Sequence, residues 1–158
     1  MSTTCPESQP KQYTCISQEV EYASSAEVED GQALLVLGGQ DAQDHLLSST
    51  QLVRPGHPTQ PGPGLTGAVD GHCSVSLEGG DKILMTGGAR PGVGISARAE
   101  VLDYAQSSWH SIASMNQARA WHNCAQVWLS PDDPNSDIMG GLVGNSSVLS
   151  AVVAGGEL

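Results

Sequence analysis

The feature that most constrains this chain is a short apolar run that ends in paired glycines and occurs three times. The runs are 33–37, 83–86 and 138–139, and the glycine pairs after them begin 49 and then 53 residues apart. A spacing of this size is typical of repeat architectures, in which each repeat is one supersecondary unit. The pairs are Gly38 with Gly39, Gly87 with Gly88, and Gly140 with Gly141.

Each unit contains further segments with the alternation of β-strands. A second segment, 51–53 and then 100–102, follows the first two glycine pairs at equal distance, and its counterpart 147–149 comes sooner in the third unit. Upstream lie 73–77, 125–129 and a weaker version at 20–28. No segment has a helical period, and Gly 19 with Pro 9 favours turns. The pattern predicts an all-β chain of short strands.

The middle unit carries the clearest motif. An apolar strand and a glycine pair are followed in order by Tyr104, Trp109, Met115, Arg119 and His122. This order resembles the kelch repeat. The first unit keeps the glycines but has Pro55 and Gln60 near the Tyr and Trp places, and the third ends before either could occur. The resemblance implies a partial kelch-type β-propeller of four-stranded antiparallel blades.

The resemblance also sets the expected domain organisation. Residues 1–19 form an irregular N-terminal segment, and 20–158 form the partial propeller, with units of about 20–67, 68–119 and 120–158. Propellers usually have four to eight blades, so the ring is not closed by this chain alone. We therefore expect a fragment of a longer propeller, or self-association through open blade edges.

The signature residues have structural roles in this interpretation. Paired glycines permit positive φ and close backbone approach at the end of a strand. Tyr104 and Trp109 would fill the gap between neighbouring sheets. Arg119 would connect one blade to the next through strand-end carbonyls or an acidic side chain.

The charge of the chain limits its partners. A formal net charge of −11, from 17 acidic and 6 basic residues, argues against nucleic acid and anionic membrane surfaces. No apolar run approaches the roughly 20 residues of a membrane span, and residues 1–10 lack the pattern of a signal peptide. We expect a soluble chain with a neutral or basic protein partner, in a compartment that the sequence does not identify.

Cysteine and histidine recur before successive glycine pairs. His72 with Cys73, and His122 with Cys124, occupy similar places in adjacent units. Zinc would need all four side chains to converge, but His72 and Cys73 point to opposite faces of a strand. A disulfide between Cys73 and Cys124 is a second use, and free buried cysteines are the default expectation.

No catalytic constellation is evident. The chain has no Gly-x-Ser-x-Gly elbow and no phosphate-binding loop followed by a helix. A galactose-oxidase-like copper enzyme is an alternative because that family also uses kelch-type blades, but no motif links Tyr13, Tyr22 or Tyr104 to a Cys and His set. We expect no enzyme activity, no cofactor and no metal. A truncated chain without an independent role is a further alternative.

Function follows from the resemblance, because kelch propellers mostly serve as protein-interaction platforms. The loops after the glycine pairs, 40–48, 89–96 and 142–146, are polar or Gly-rich and differ between units, as loops that set specificity do. The acidic residues of 41–44 could attract calcium or a basic partner, but the spacing does not match an EF-hand loop and a solvated turn is the default expectation. The candidate contact residues are Asp41, Asp44, His45, Arg90 and Asn145.

Overall fold

The computed structural model describes residues 18–129, 142–144 and 147–154, and this part of the chain is all-β with one 3-10 turn, Glu78–Gly80. The side chains are described as far as residue 126. The strands are β1 Ser24–Val28, β2 Ala33–Leu37, β3 Thr50–Val53, β4 Gln60–Pro61, β5 Cys73–Leu77, β6 Lys82–Thr86, β7 Ala89–Arg90, β8 Gly94–Ile95, β9 Ala99–Asp103, β10 Ser108–Ser111, β11 Asn123–Leu129, β12 Leu142–Gly144 and β13 Ser147–Ala154.

Two four-stranded antiparallel sheets repeat one topology. Blade 1 has the order β1-β2-β3-β4, and blade 2 has β5-β6-β9-β10, with the hairpin β7–β8 inserted after the second glycine pair. The registers repeat as well, since Leu34 lies opposite Val53 in blade 1 and Ile83 opposite Leu102 in blade 2, 49 residues later. The predicted fold class, a partial propeller of four-stranded antiparallel blades that does not close a ring, is confirmed.

The main core lies between the two blades. One face of β2 buries Leu35 and Leu37 completely, because alternate side chains of a strand point to the same side of its sheet. The same cluster contains Ile83 and Leu102 of blade 2, so the two sheets pack face to face. Its buried members are Ala26, Val28, Ala33, Leu35, Leu37, Leu52, Leu65, Val69, Ile83, Met85 and Leu102.

A smaller core lies on the opposite face of blade 2. Leu84 and Val101 are paired across β6 and β9, and they are buried with Leu77. Val75 and Ile112 pack against this cluster while remaining partly exposed. Strand β5 contacts β1 on one side and β11 on the other, so the first strands of the three units lie side by side.

The third sheet departs from the other two. Its order is β11-β13-β12, so β11 pairs directly with β13, whereas β1 and β5 pair with the strand that precedes the glycines. The strand predicted at 138–139 and the pair Gly140 and Gly141 lie outside the described residues. Strand β13 has eight residues and β11 has seven, and every residue of β11 has a partner in β13. The described chain contains no helix with the length and apolar character needed to cross a bilayer.

Candidate binding face

The loops after the first two glycine pairs lie at one end of the blades, which we call the upper face. It comprises the connections β2–β3 and β6–β9, together with the segments 66–72 and 116–122 that lead into β5 and β11. Leu47 N–H donates to the Gly39 carbonyl, and Ser96 N–H donates to the Gly88 carbonyl, 49 residues later. The two loops are thus held at equivalent points.

The first two glycine pairs sit at the seams between units. Gly39 N–H donates to the Val69 carbonyl, and Gly88 N–H donates to the Arg119 carbonyl, both at 2.8 Å. Gly38 has φ +56, and a Cβ on it would lie 2.5 Å from the Val69 carbonyl oxygen. All four glycines have positive φ. Gly38, Gly39, Gly87 and Gly88 therefore occupy positions where a side chain would collide with the lead-in of its own or the next unit.

Arg119 connects two units through its main chain. Val69 makes the same bond in the preceding unit, so this connection does not require an arginine. The guanidinium donates to Gln117 Oε1 at 2.9 Å.

Tyr104 and Trp109 lie at the seam between blades 1 and 2, where both pack against the main core. The Tyr104 hydroxyl donates to Glu29 Oε1 of blade 1 at 3.1 Å, and Arg54 donates to both oxygens of the same carboxylate. The Arg54 hydrogen bond, and to a lesser extent the bond from Tyr104, hold the pKa of Glu29 below its usual value although burial opposes this.

The β2–β3 loop is shaped by its own acidic residue. Asp41 Oδ1 accepts hydrogen bonds from the N–H groups of Gln43 and His45, each at 2.9 Å. These bonds, above all that of His45, lower the pKa of Asp41. Its Oδ2 lies 3.2 Å from His45 Nδ1, and the His45 side chain is 74% exposed. Asp44, with φ +60, is also exposed. Asp41 therefore shapes the loop, while Asp44 and His45 project from it.

Arg90 has a different position from the one expected for a contact residue. Its side chain is only 9% exposed, and its Nη2 lies 3.0 Å from Glu100 Oε2. Glu100, which is 1% exposed, also accepts from Arg98 at 2.7 Å and from the Thr66 hydroxyl at 2.7 Å. The guanidinium of Arg90 thus neutralises a buried carboxylate. The candidate contact residue Asn145 lies outside the described part of the chain, as does residue 146.

Cys73 and Cys124 form a disulfide that joins β5 to β11, with Cα atoms 6.0 Å apart. The expectation of free cysteines is therefore wrong for this pair, and zinc ligation by these thiols is excluded. In the preceding seam, Ser24 Oγ accepts a 2.8 Å hydrogen bond from Ser74 Oγ. Ser24 lies 49 residues before Cys73, and Ser74 lies 50 before Cys124. The disulfide thus takes the place that a serine pair occupies one seam earlier.

The two histidines are buried at equivalent places but have different surroundings. His122 Nε2 lies 2.9 Å from Thr86 Oγ1. The residue equivalent to Thr86 in blade 1 is Leu37, and neither ring nitrogen of His72 has a hydrogen-bond partner among the described residues. Burial lowers the pKa of His72 to about 4, with smaller effects of the same sign from Arg90 and His122. Burial also lowers the pKa of His122.

Metal-binding residues do not converge in the described part of the chain. Within it, no three His, Cys, Asp or Glu side chains are placed to hold an ion. Tyr22 is exposed at the upper face and Tyr104 is bonded to Glu29 at the seam, so these two are not set together as copper chemistry would require. Tyr13 lies outside the described residues.

Sequence reasoning missed one feature of the upper face. Tyr22, Gly71 and Trp121 precede the first strands of the three units, and Tyr22 and Trp121 are exposed large side chains. The shared signal is their place in the repeat, since Gly71 follows Tyr22 by 49 residues and Trp121 follows Gly71 by 50.

No model of a known protein family matches this chain, and no curated protein matches it either.

Proposed function

We propose that the chain is a kelch-type propeller segment that binds a protein partner through its upper face. The observation that carries this proposal is the combination of equivalent anchors with different tips. The loops 38–49 and 87–98 receive the same main-chain bonds at their bases. Between those bases, the first contains a turn capped by Asp41 and the second contains the hairpin β7–β8. A constant scaffold with variable tips suits recognition more than a reaction.

The kelch assignment is supported by the contacts of the signature residues. The glycine pairs lie where units meet, and Tyr104 and Trp109 occupy the space between two sheets. These are the positions that the order of residues in the middle unit implies. We assign the chain no catalytic step and no cofactor.

The test replaces the exposed tips and leaves their anchors intact. In one variant residues 42–45 become Ser-Gly-Ser-Gly, and in a second Pro91 and Val93 become serine. The control replaces Ala105 and Gln106, which are exposed in the β9–β10 turn at the opposite end of blade 2. A partner is first isolated with the unmodified chain and its complex measured with purified components.

We expect at least one tip variant to abolish binding of that partner, with an unchanged far-ultraviolet spectrum and an unchanged melting temperature. The control should bind like the unmodified chain. If both tip variants bind normally while the β9–β10 variant does not, the partner uses the opposite face and the proposed function is wrong.

A further inference from the structure

Three equivalent residues surround the start of the first strands at the upper face. Gly71 N–H donates to the Tyr22 carbonyl, and Trp121 N–H donates to the Gly71 carbonyl. All three have left-handed backbone, with φ of 53, 56 and 52 for Tyr22, Gly71 and Trp121. The side chains of Tyr22 and Trp121 are 53% and 48% exposed. We call these three residues the aromatic mouth.

Gly71 leaves room for the indole of its neighbour. A Cβ on Gly71 would lie 2.9 Å from Trp121 Nε1 and 3.0 Å from Cε2, so the Trp121 ring covers the glycine. The ring therefore extends from its own unit over blade 2, toward the unit that carries Tyr22. Large exposed aromatic rings are costly to leave in water and are enriched where proteins bind their partners.

Carboxylates adjoin the aromatic mouth. Glu21 is exposed beside Tyr22, and its backbone pairs with Gln40 at the base of the loop that carries Asp41 and Asp44. Asp70 precedes Gly71 and is 7% exposed, and its Oδ1 has no hydrogen-bond partner among the described residues. Burial raises the pKa of this carboxyl, and a cation near its unused acceptor would stabilise the charged form and satisfy its negative potential.

The positive charges of the upper face do not cancel this potential around Tyr22. Arg90 and Arg98 both bind the buried carboxylate of Glu100. Arg119 lies on the Trp121 side of the mouth and donates to Gln117. The charges of Arg90 and Arg98 are therefore committed to Glu100, in a chain whose net charge is −11.

We propose that the aromatic mouth binds an arginine side chain in a basic, extended segment of the partner protein. This inference rests on the proposed function and names the chemistry of its ligand. A guanidinium is planar, stacks on aromatic faces and is the cation found most often over Trp and Tyr. Glu21 and Asp70 supply the carboxylate partners, and Gly71 leaves room for the Trp121 ring.

The test uses three synthetic peptides of glycine and serine that differ only at two central positions, which are arginine, leucine or glutamate. Binding is followed by tryptophan fluorescence and by calorimetry at low salt. We expect the arginine peptide to bind about tenfold more tightly than the leucine peptide and the glutamate peptide not to bind. Trp121→Ala and Tyr22→Ala should each weaken the arginine peptide about tenfold. His110→Ala removes an exposed ring from the outermost strand of blade 2 and should have no effect.

The outcomes separate this inference from the proposed function. Equal binding of the three peptides, or tighter binding of the leucine peptide, would overturn the arginine assignment. So would normal binding by both Trp121→Ala and Tyr22→Ala. If these variants also bind an isolated protein partner normally while the tip variants do not, the upper face still functions in binding and the aromatic mouth alone is ruled out. If tip and mouth variants all bind that partner normally, both proposals fail.

Discussion

Glu100 is a fully buried carboxylate whose two oxygens are shared by Arg90, Arg98 and Thr66. Removing its charge would leave the buried guanidinium of Arg90 without a counter-ion, which costs free energy because a buried charge has lost its hydration. We expect Glu100→Gln to lower the free energy of unfolding by about 3 kcal/mol. Chemical denaturation measures this loss.

The control for that substitution is an exposed ion pair. Lys82 Nζ lies 2.9 Å from Glu78 Oε2, and more than two fifths of each side chain is exposed to solvent. Because exposed pairs contribute less than about 1 kcal/mol, Glu78→Gln should change stability only slightly. Equal losses from both substitutions would show that the Glu100 cluster does not hold the loop to the blade.

His72 predicts an acid dependence of stability. Its pKa is about 4 in the folded chain against 6.5 as a free side chain, so the unfolded chain binds a proton first as the pH falls. The contribution of neutral His72 to the free energy of unfolding should be fully present above about pH 6.5. It should fall by about 3 kcal/mol between pH 6.5 and pH 4. In His72→Leu, the new side chain would lie beside Leu37. Denaturation curves at several pH values should then show that the free energy of unfolding changes much less with pH over this range. An unchanged slope would assign the acid dependence to other groups.

At the scale of the elements, the second glycine of each of the first two pairs sets how closely the lead-in of its own unit approaches the end of the strand. Gly88 has φ +87, and a Cβ there would meet Val69 and Asp70 at 2.5 and 2.6 Å. Gly92, in the β7–β8 turn, has φ +71 and open space around it. Positive φ disfavours alanine at both positions, by about 1 kcal/mol. Only at Gly88 would the new side chain also collide with the segment that leads into β5.

We therefore expect Gly88→Ala to cost about 3 kcal/mol or more and Gly92→Ala about 1 kcal/mol. Thermal and denaturant melts of the two variants measure the difference. A similar cost at both sites would mean that the backbone conformation alone selects glycine and that the lead-in can move away from the strand end.

The elements could be predicted where the signal is local. Alternation at Cys73, Val75 and Leu77 and the runs before the glycine pairs coincide with β5, β2 and β6, because a half-buried strand repeats its burial every second residue. The sequence offers a disulfide between Cys73 and Cys124 only as one alternative and gives no sign of the aromatic mouth, because both depend on the register between neighbouring blades. Loop position makes Arg90 a candidate contact residue, because position alone does not show that the carboxylate of Glu100 lies behind it.

On the scale of the whole molecule, blade 1 has a face that no described sheet covers. Leu34, Val36 and Val53 occupy the places of Ile83, Met85 and Leu102, which pack against blade 1. Leu34 is 37% exposed, and a shallow groove runs past it and Val53 at the lower end. The equivalence predicts that a further blade, from the same or another chain, covers this face.

We expect the isolated chain to self-associate through this face. Light scattering should show a mass that rises with concentration, and Leu34→Glu should return it to that of the monomer because a charge would be buried in the contact. A monomer at every concentration would mean that this face is stable without a covering blade.

The central claim is that successive units stack as blades with equivalent positions in contact at each seam. Ser24 and Ser74 meet where Cys73 and Cys124 form their disulfide one seam later. The double variant Ser24→Cys, Ser74→Cys should therefore form a second disulfide within one chain while the native bond persists, as read by mass spectrometry of unreduced peptides. Ser25→Cys with Ser74→Cys is the control, because residue 25 points to the other side of β1. A bond between 24 and 74 with none between 25 and 74 supports the stacked arc, and failure to link 24 with 74 would contradict it.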